Sequence, residues 1–255
     1  MYADLNIKSV QEEVGAEEWQ LRVELAACYR LVALHGWDDL IFTHISARVP
    51  GPEHHFLINP YGMQFEEITA SSLVKIDCEG EIVANAGPFS FNKAGFVIHS
   101  AIHMARDDAQ CVIHLHTPDG VAVSAQKDGL LGISQHALLL QPHMAYHHYE
   151  GVAFDTAERS RLVEHLGDKR LFMLRNHGTL AVGRTCAEAF MGIFFLEKAC
   201  SVQVRALTGE INWPDNAAKN TTWQQGQDMF DRSVPDLAWS ALMRKLDRID
   251  PSFKQ

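Results

Sequence analysis

The 255-residue sequence lacks any apolar run approaching the roughly 18 residues of a membrane-spanning helix, since His, Gly or a charge interrupts every stretch. Met1-Tyr2-Ala3-Asp4-Leu5 has neither the basic nor the apolar region of an export signal, so a soluble, cytoplasmic protein without membrane contact is expected. Cysteine is scarce: five residues, an odd number, scattered and without any CxxC spacing, which excludes a disulfide framework and a zinc ribbon. Settings such as Cys111-Val112-Ile113 suit reduced core thiols. Basic charge is also scarce, 22 Lys and Arg against 32 Asp and Glu with no clustered run, so the net charge of -10 repels nucleic acid. There are no internal repeats or low-complexity segments. With 47% hydrophobic and 21% charged residues, the chain can bury a full core unaided.

The patterning divides the chain into a polar arm over residues 1–16, one domain over 17–210 and a C-terminal helical tail over 211–255. Leu21, Leu25, Cys28, Leu31 and Val32 repeat at helical spacing from Glu17, and the helix stops at His35-Gly36. Short β-like runs follow at 40–45, 56–58, 74–76 and 82–83, separated by Pro50-Gly51-Pro52, Pro60-Tyr61-Gly62 and Glu79-Gly80, the signature of an antiparallel meander. Helices over 96–105 and 118–125 flank a strand at 111–116. Asp155 and Glu158 offer a cap for a helix to Leu166, strands follow at 171–174 and 180–182, and Thr185 with Glu188 opens a helix to about Leu207. In the tail, Trp213, Trp223, Phe230, Trp239 and Leu242 sit among polar residues, ready to pack on the domain or on a neighbouring subunit.

Histidine is what the sequence has in excess, 14 residues, several clustered. In His114-Leu115-His116 both imidazoles leave a strand on one face, because strand side chains repeat every two residues. The pair alone leaves two readings open: ligands of one metal ion, or two hydrogen-bonded histidines at a strand end. Arg175-Asn176-His177-Gly178 again follows an apolar strand. A third imidazole from this turn would complete a three-histidine site with an open fourth position, the arrangement of a catalytic metal.

Taken in order, these segments resemble the class II aldolase/adducin family. Thr43-His44-Ile45-Ser46-Ala47-Arg48 resembles its early Gly-Asn-Ile/Val-Ser motif, and Ile58-Asn59-Pro60-Tyr61-Gly62 its Thr-Pro-x-Gly turn. His114-Leu115-His116 and Asn176-His177-Gly178 look like its metal-binding segments. The resemblance implies a three-layer α/β/α fold with a central, mainly antiparallel sheet. It also implies a divalent metal, usually Zn2+, with Mn2+ an alternative, held by His114, His116 and His177, and a homotetramer. Such a metal polarises a small substrate's carbonyl and adjacent hydroxyl during carbon–carbon cleavage.

Two departures bear on the reaction. The family's acid/base Glu lies four residues before a helix His, yet here that place is Gly95, counting back from His99, and 89–95 holds no carboxylate, as in the adducin-type branch. His44 stands where the aldolases bind phosphate with Asn, which argues against a sugar-phosphate substrate. The expected substrate-binding set is His44, Asn59, Gly62, Arg175 and Asn176, with Arg175 as the anion-holding group. His99 is the expected proton carrier, with His103 and His136 as substitutes. His147-His148 is expected in a solvent-facing loop and Lys93 solvated. The leading reading is a metal-dependent lyase, an aldolase or decarboxylase, acting on a small hydroxy or keto compound. The alternative is a non-catalytic adducin-like scaffold, favoured by the missing Glu.

Overall fold

The computed structural model describes residues 5, 7–151, 157–231 and 233–255. The chain runs α1 (Ala16–Leu34), β1 (His44–Arg48), β2 (Phe56–Ile58), β3 (Val74–Ile76), β4 (Ile82–Ala84), α2 (Lys93–Ala105) and β5 (Cys111–Leu115). It continues through α3 (Pro118–Ser124), α4 (Gln135–Leu140), β6 (Met144–His147), α5 (Glu158–Leu166), β7 (Leu171–Leu174), β8 (Gly178–Gly183) and α6 (Cys186–Ala206). It ends with α7 (Asn216–Gly226), α8 (Val234–Ile249) and a terminal 3-10 turn, Pro251–Lys254.

The eight strands form one sheet in the order β4-β3-β2-β1-β5-β8-β7-β6, antiparallel except for the parallel edge pair β6 and β7. The first four strands are a meander, each pairing antiparallel with its neighbour in the chain across links that contain Pro or Gly turns. Period-2 alternation then sends the two sides of each strand into different layers. On β5, Cys111, Ile113 and Leu115 enter the core shared with α1 and α6, while Val112 packs with Ile98 and Ile102 of α2 and Leu162 and Leu166 of α5. The result is helix, sheet, helix, with α3, α4 and α8 packed on α6. Among the described residues no helix is long and apolar enough to cross a membrane.

Three local expectations give way to tertiary geometry. The strand expected at 40–45 starts only at His44, because Leu40 and Thr43 take left-handed backbone angles, φ +53° and +63°. The segment expected as a solvent-facing loop at His147-His148 is instead the end of an edge strand: β6 pairs with β7 and buries His147, leaving only His148 exposed. Its alternation is too short to stand out in sequence. The 135–140 stretch, given no element above, is helical and capped by Ser134, whose hydroxyl accepts the Ala137 amide at 3.2 Å. The cap at Thr185 is present, accepting from the Glu188 amide at 3.1 Å, whereas Asp155 lies outside the described residues.

The C-terminal turn is a clasp on the domain. Phe253 is fully buried in the α1 core, the Ala70 amide donates to its carbonyl at 2.9 Å, and Arg30 of α1 reaches Asp250 at 3.1 Å. Truncating Phe253 would leave an aromatic-sized void beneath α1. Phe253→Ala is expected to lower unfolding stability by about 3–5 kcal/mol with an unchanged denaturant slope, measured by urea titration.

Candidate active site

The site arises where β1, β5 and β8 meet. Register places His44 directly opposite His114, and Leu115 opposite Thr179, so the imidazoles of β1 and β5 share the α2 face of the sheet. His116 follows β5, and His177 precedes β8 after a turn in which Asn176 is left-handed, φ +57°. Gly178 permits this approach, since a Cβ there would stand 2.3 Å from the Leu115 carbonyl oxygen.

Three ring nitrogens converge. His114 Nε2 lies 2.9 Å from His116 Nε2 and 3.2 Å from His177 Nε2, and the cluster meets the spacing of a metal-binding group. Outer partners fix the tautomers. His114 Nδ1 faces the Thr179 carbonyl at 2.9 Å and so carries its proton there, and His116 Nδ1 faces Asp39 Oδ2 at 3.1 Å. Both Nε2 atoms therefore point lone pairs at one another, an arrangement that repels unless a cation lies between them. Three nitrogens bound tetrahedrally at about 2.1 Å would stand about 3.4 Å apart, close to what is observed. Burial pushes His114 well down from its ordinary range and His177 to about 4, the latter aided by His116. Neutral, uncompensated nitrogen donors are what a divalent ion requires, so the residues fit such an ion.

Beside the cluster is a cavity of about 200 Å³ lined by Asp39, Phe42, Thr43, His44, Asn92, Gly95 and Ile98 together with the three histidines. No Lys or Arg lies among these lining residues. The buried Thr43 hydroxyl and both ring nitrogens of His44 lack hydrogen bonds of normal geometry. Burial brings His44 down to about 3, so it enters the site as a neutral imidazole. A β-branched residue held at positive φ, as Thr43 is, costs local strain and is characteristic of functional sites. Gly95 and His44 are sterically linked: a Cβ on Gly95 would stand 2.1 Å from His44 Cε1. The two departures noted in the sequence are thus one, because the His44 ring occupies the space where a side chain at 95 would begin.

The other expected site residues are dispersed. His99 is fully buried behind His44, ring centroids 4.2 Å apart, with Nδ1 on Ser46 Oγ at 2.6 Å, and it does not line the cavity. His103 shares the same Ser46 hydroxyl at 2.7 Å. Asn59 lies on the α1 side of the sheet, where its side chain meets the Tyr29 hydroxyl at 2.9 Å. Gly62 sits in its turn at φ +121° against Phe89. Arg175 donates to the Gln126 carbonyl at 2.7 Å and covers the Tyr146 ring, so its guanidinium is already engaged. Asn176 is exposed and shapes the turn. Lys93 is exposed, as expected. His136 packs on Phe195, away from the cluster.

Sequence reasoning missed Asp39, Thr43 and, above all, Glu197. From α6, on the far side of the sheet, the buried Glu197 carboxylate accepts the hydroxyls of Thr117, next to His116, and of Thr179, the latter at 2.5 Å. It ties together the two segments that carry all three clustered histidines, and Thr179 passes the link to His114 through its carbonyl. Burial pushes its carboxyl up to about 7 against the pull of the two hydroxyls. Only an Asp before β1 and a Glu inside an apolar helix signalled these roles.

The pH consequences run in opposite directions. His44 and His103, both near 3 in the folded state, bind protons only after unfolding, so stability present above about pH 6.5 is lost as pH falls toward 3, about 1.4 kcal/mol per pH unit for each. Glu197 has a raised folded value, so its contribution is full below about pH 4.5 and is lost as pH rises through 7. Chelator-treated protein should be most stable near pH 6–7 in melts across pH 5–8. Glu197→Gln should gain roughly 2–3 kcal/mol relative to wild type between pH 5 and pH 8, and equal pH curves for the two proteins would remove the assigned titration.

The family model "Class II Aldolase and Adducin N-terminal domain" matches residues 23–204. A Caulobacter vibrioides protein, whose name assigns it provisionally to the class 2 aldolases, is 57% identical over 96% of both chains. Rat alpha-adducin is 48% identical over 77% of this chain but only 27% of its own length. The crystal structure of an aldolase II superfamily protein from Pseudomonas syringae superposes with TM-score 0.94 at 48% identity, covering 97% of this chain and 100% of the other. L-fuculose 1-phosphate aldolase from Glaciozyma antarctica PI12 superposes with TM-score 0.80 at 27% identity, covering 94% of each. With the family model covering most of the α/β/α domain and these likenesses beside it, the chain belongs to the class II aldolase and adducin family.

Proposed function

We propose that this protein is a metal-dependent carbon–carbon lyase that holds a divalent ion, Zn2+ or in its place Mn2+, on His114, His116 and His177. The observation that carries the reading is the tautomer pattern: two imidazoles anchored through Nδ1 and aiming lone pairs at one point, with a third beside them. When bound, the ion would supply Lewis-acid charge that polarises the substrate carbonyl and steadies negative charge left by bond cleavage.

The chain's own groups do the rest. Asp39 and the Thr179 carbonyl hold two ligand rings in orientation, and Glu197 braces the strand ends that carry them. His44, neutral and with neither ring nitrogen in a hydrogen bond of normal geometry, is placed to hydrogen-bond a substrate oxygen, as is the Thr43 hydroxyl. This assigns His44 the contact that sequence reasoning gave to His99, which instead orients it from behind. With no Lys or Arg on the cavity wall, a phosphate would meet no cationic side chain there, so a small, non-phosphorylated hydroxy or keto compound is the proposed substrate. A homotetramer is proposed from the family, and a reducing, cytoplasmic compartment suits the five free thiols. The adducin-like scaffold remains a second reading, favoured by 48% identity to alpha-adducin over the shared segment.

Elemental analysis of dialysed, untagged protein tests the proposal, with His116→Ala beside it. Wild type is expected to carry about one divalent ion per chain and the variant none, with its fold retained by circular dichroism. Metal-loaded wild type should then cleave or decarboxylate a member of a hydroxy-keto acid panel, and His44→Ala should lower kcat by roughly 10²-fold or more. Wild type that stays metal-free after zinc loading would overturn the proposed metal site and favour the scaffold reading.

A further inference from the structure

On the face of the sheet opposite the histidine cluster, three cysteines from three separate elements meet. Cys28 belongs to α1, Cys111 opens β5 and Cys186 opens α6. All three are buried in the same apolar cluster, and their sulfur atoms all lie within 4.8 Å of one another. Cys111 and His114 share a strand but face opposite layers, so β5 presents sulfur on one side and imidazole on the other. The remaining cysteines, Cys78 and Cys200, are not part of the group.

We propose that Cys28, Cys111 and Cys186 form a three-sulfur site for a soft monovalent cation, with Cu(I) the ion it fits. A metal bonded to three sulfurs at about 2.3 Å in a plane separates them by about 4.0 Å, within the spacing found here. The donor number discriminates between ions. Structural zinc takes four ligands, and among the described residues the group offers only three. Soft thiolate donors suit Cu(I), and its positive charge offsets part of the negative charge that deprotonated cysteines place in so apolar a setting. The Cys186 thiol is pushed well up by its hydrogen bond with Cys111 and by burial, and the Cys28 thiol by burial, so the ion displaces their protons on binding. Occupancy would cross-link α1, β5 and α6, the elements around which the larger core is built.

The 255-residue chain carrying His116→Ala, which weakens competition from the imidazole cluster, is reduced, partly unfolded in urea and refolded anaerobically with Cu(I) beside a competing Cu(I) chelator. The expected result is about one copper per chain with only sulfur scatterers at about 2.3 Å in X-ray absorption, and a raised Tm. Cys111→Ala should lose the copper while still melting cooperatively. Should that variant fail to fold, Cys28→Ala and Cys186→Ala give the same reading. No retained copper, a nitrogen-containing shell, or retention unchanged in the Cys→Ala variants would overturn the proposal and leave the three thiols as packing residues. The wild-type divalent-ion occupancy tests the histidine site separately, so either site can fail without the other.

Discussion

The register of β5 between β1 and β8 is the constraint on which the rest of the site depends. It sets His44 beside His114 and Thr179 beside Leu115, and so brings imidazoles from separate parts of the chain to one point. A slip of one residue would turn His114 toward the α1 core and Cys111 toward α2, exchanging the two layers' chemistry. The register is held from outside the site. Ile113 and Leu115 are buried among α1 and α6, Val112 is buried against α2 and α5, and Gly178 admits the Leu115 carbonyl at a distance that no side chain would allow. Glu197 then clamps the open end, where strand hydrogen bonding stops and the clustered side chains begin.

Desolvation is the second organising force. Each buried imidazole is kept neutral, and each neutral ring must be satisfied or left available. His103 is satisfied by the Ala109 carbonyl at 2.6 Å and by Ser46, and His99 is half satisfied by Ser46. His44, at the cavity wall, has no hydrogen bond of normal geometry. The gradient from satisfied to unsatisfied runs from the α2 layer toward the cavity, so unmet polar capacity is concentrated where a ligand can meet it.

Residues 44 and 95 are where this chain departs from the aldolase pattern that its sequence resemblance implies. A carboxylate at 95 and an imidazole at 44 would compete for one volume, since the ring stands 2.1 Å from where a Cβ would begin. The missing acid is therefore not simply a loss of function. It is the steric counterpart of a second polar ring entering the cavity, and the chemistry that such a ring supports differs from that of a carboxylate.

Much of this was legible in the sequence because the signals were local. Spacing of two placed His114 and His116 on one face, turn residues delimited the meander, and Asn176-His177-Gly178 marked a turn at a strand end. Tertiary structure decided what locality could not. Asn59, in a family-like turn, faces Tyr29 because β2 presents it to the α1 layer, and Arg175 is spent on Gln126 and Tyr146. Asp39 and Glu197 reach the histidine network across 77 residues to His116 and 80 to Thr117, separations that no periodicity encodes. The meeting of Cys28, Cys111 and Cys186 is of the same kind, since helix and strand periodicities assign each to a core face but only packing decides which faces touch. The sequence by itself determined the fold class and the three clustered histidines. Packing of the layers decided what surrounds them, because burial and contact depend on chain segments that are distant in sequence.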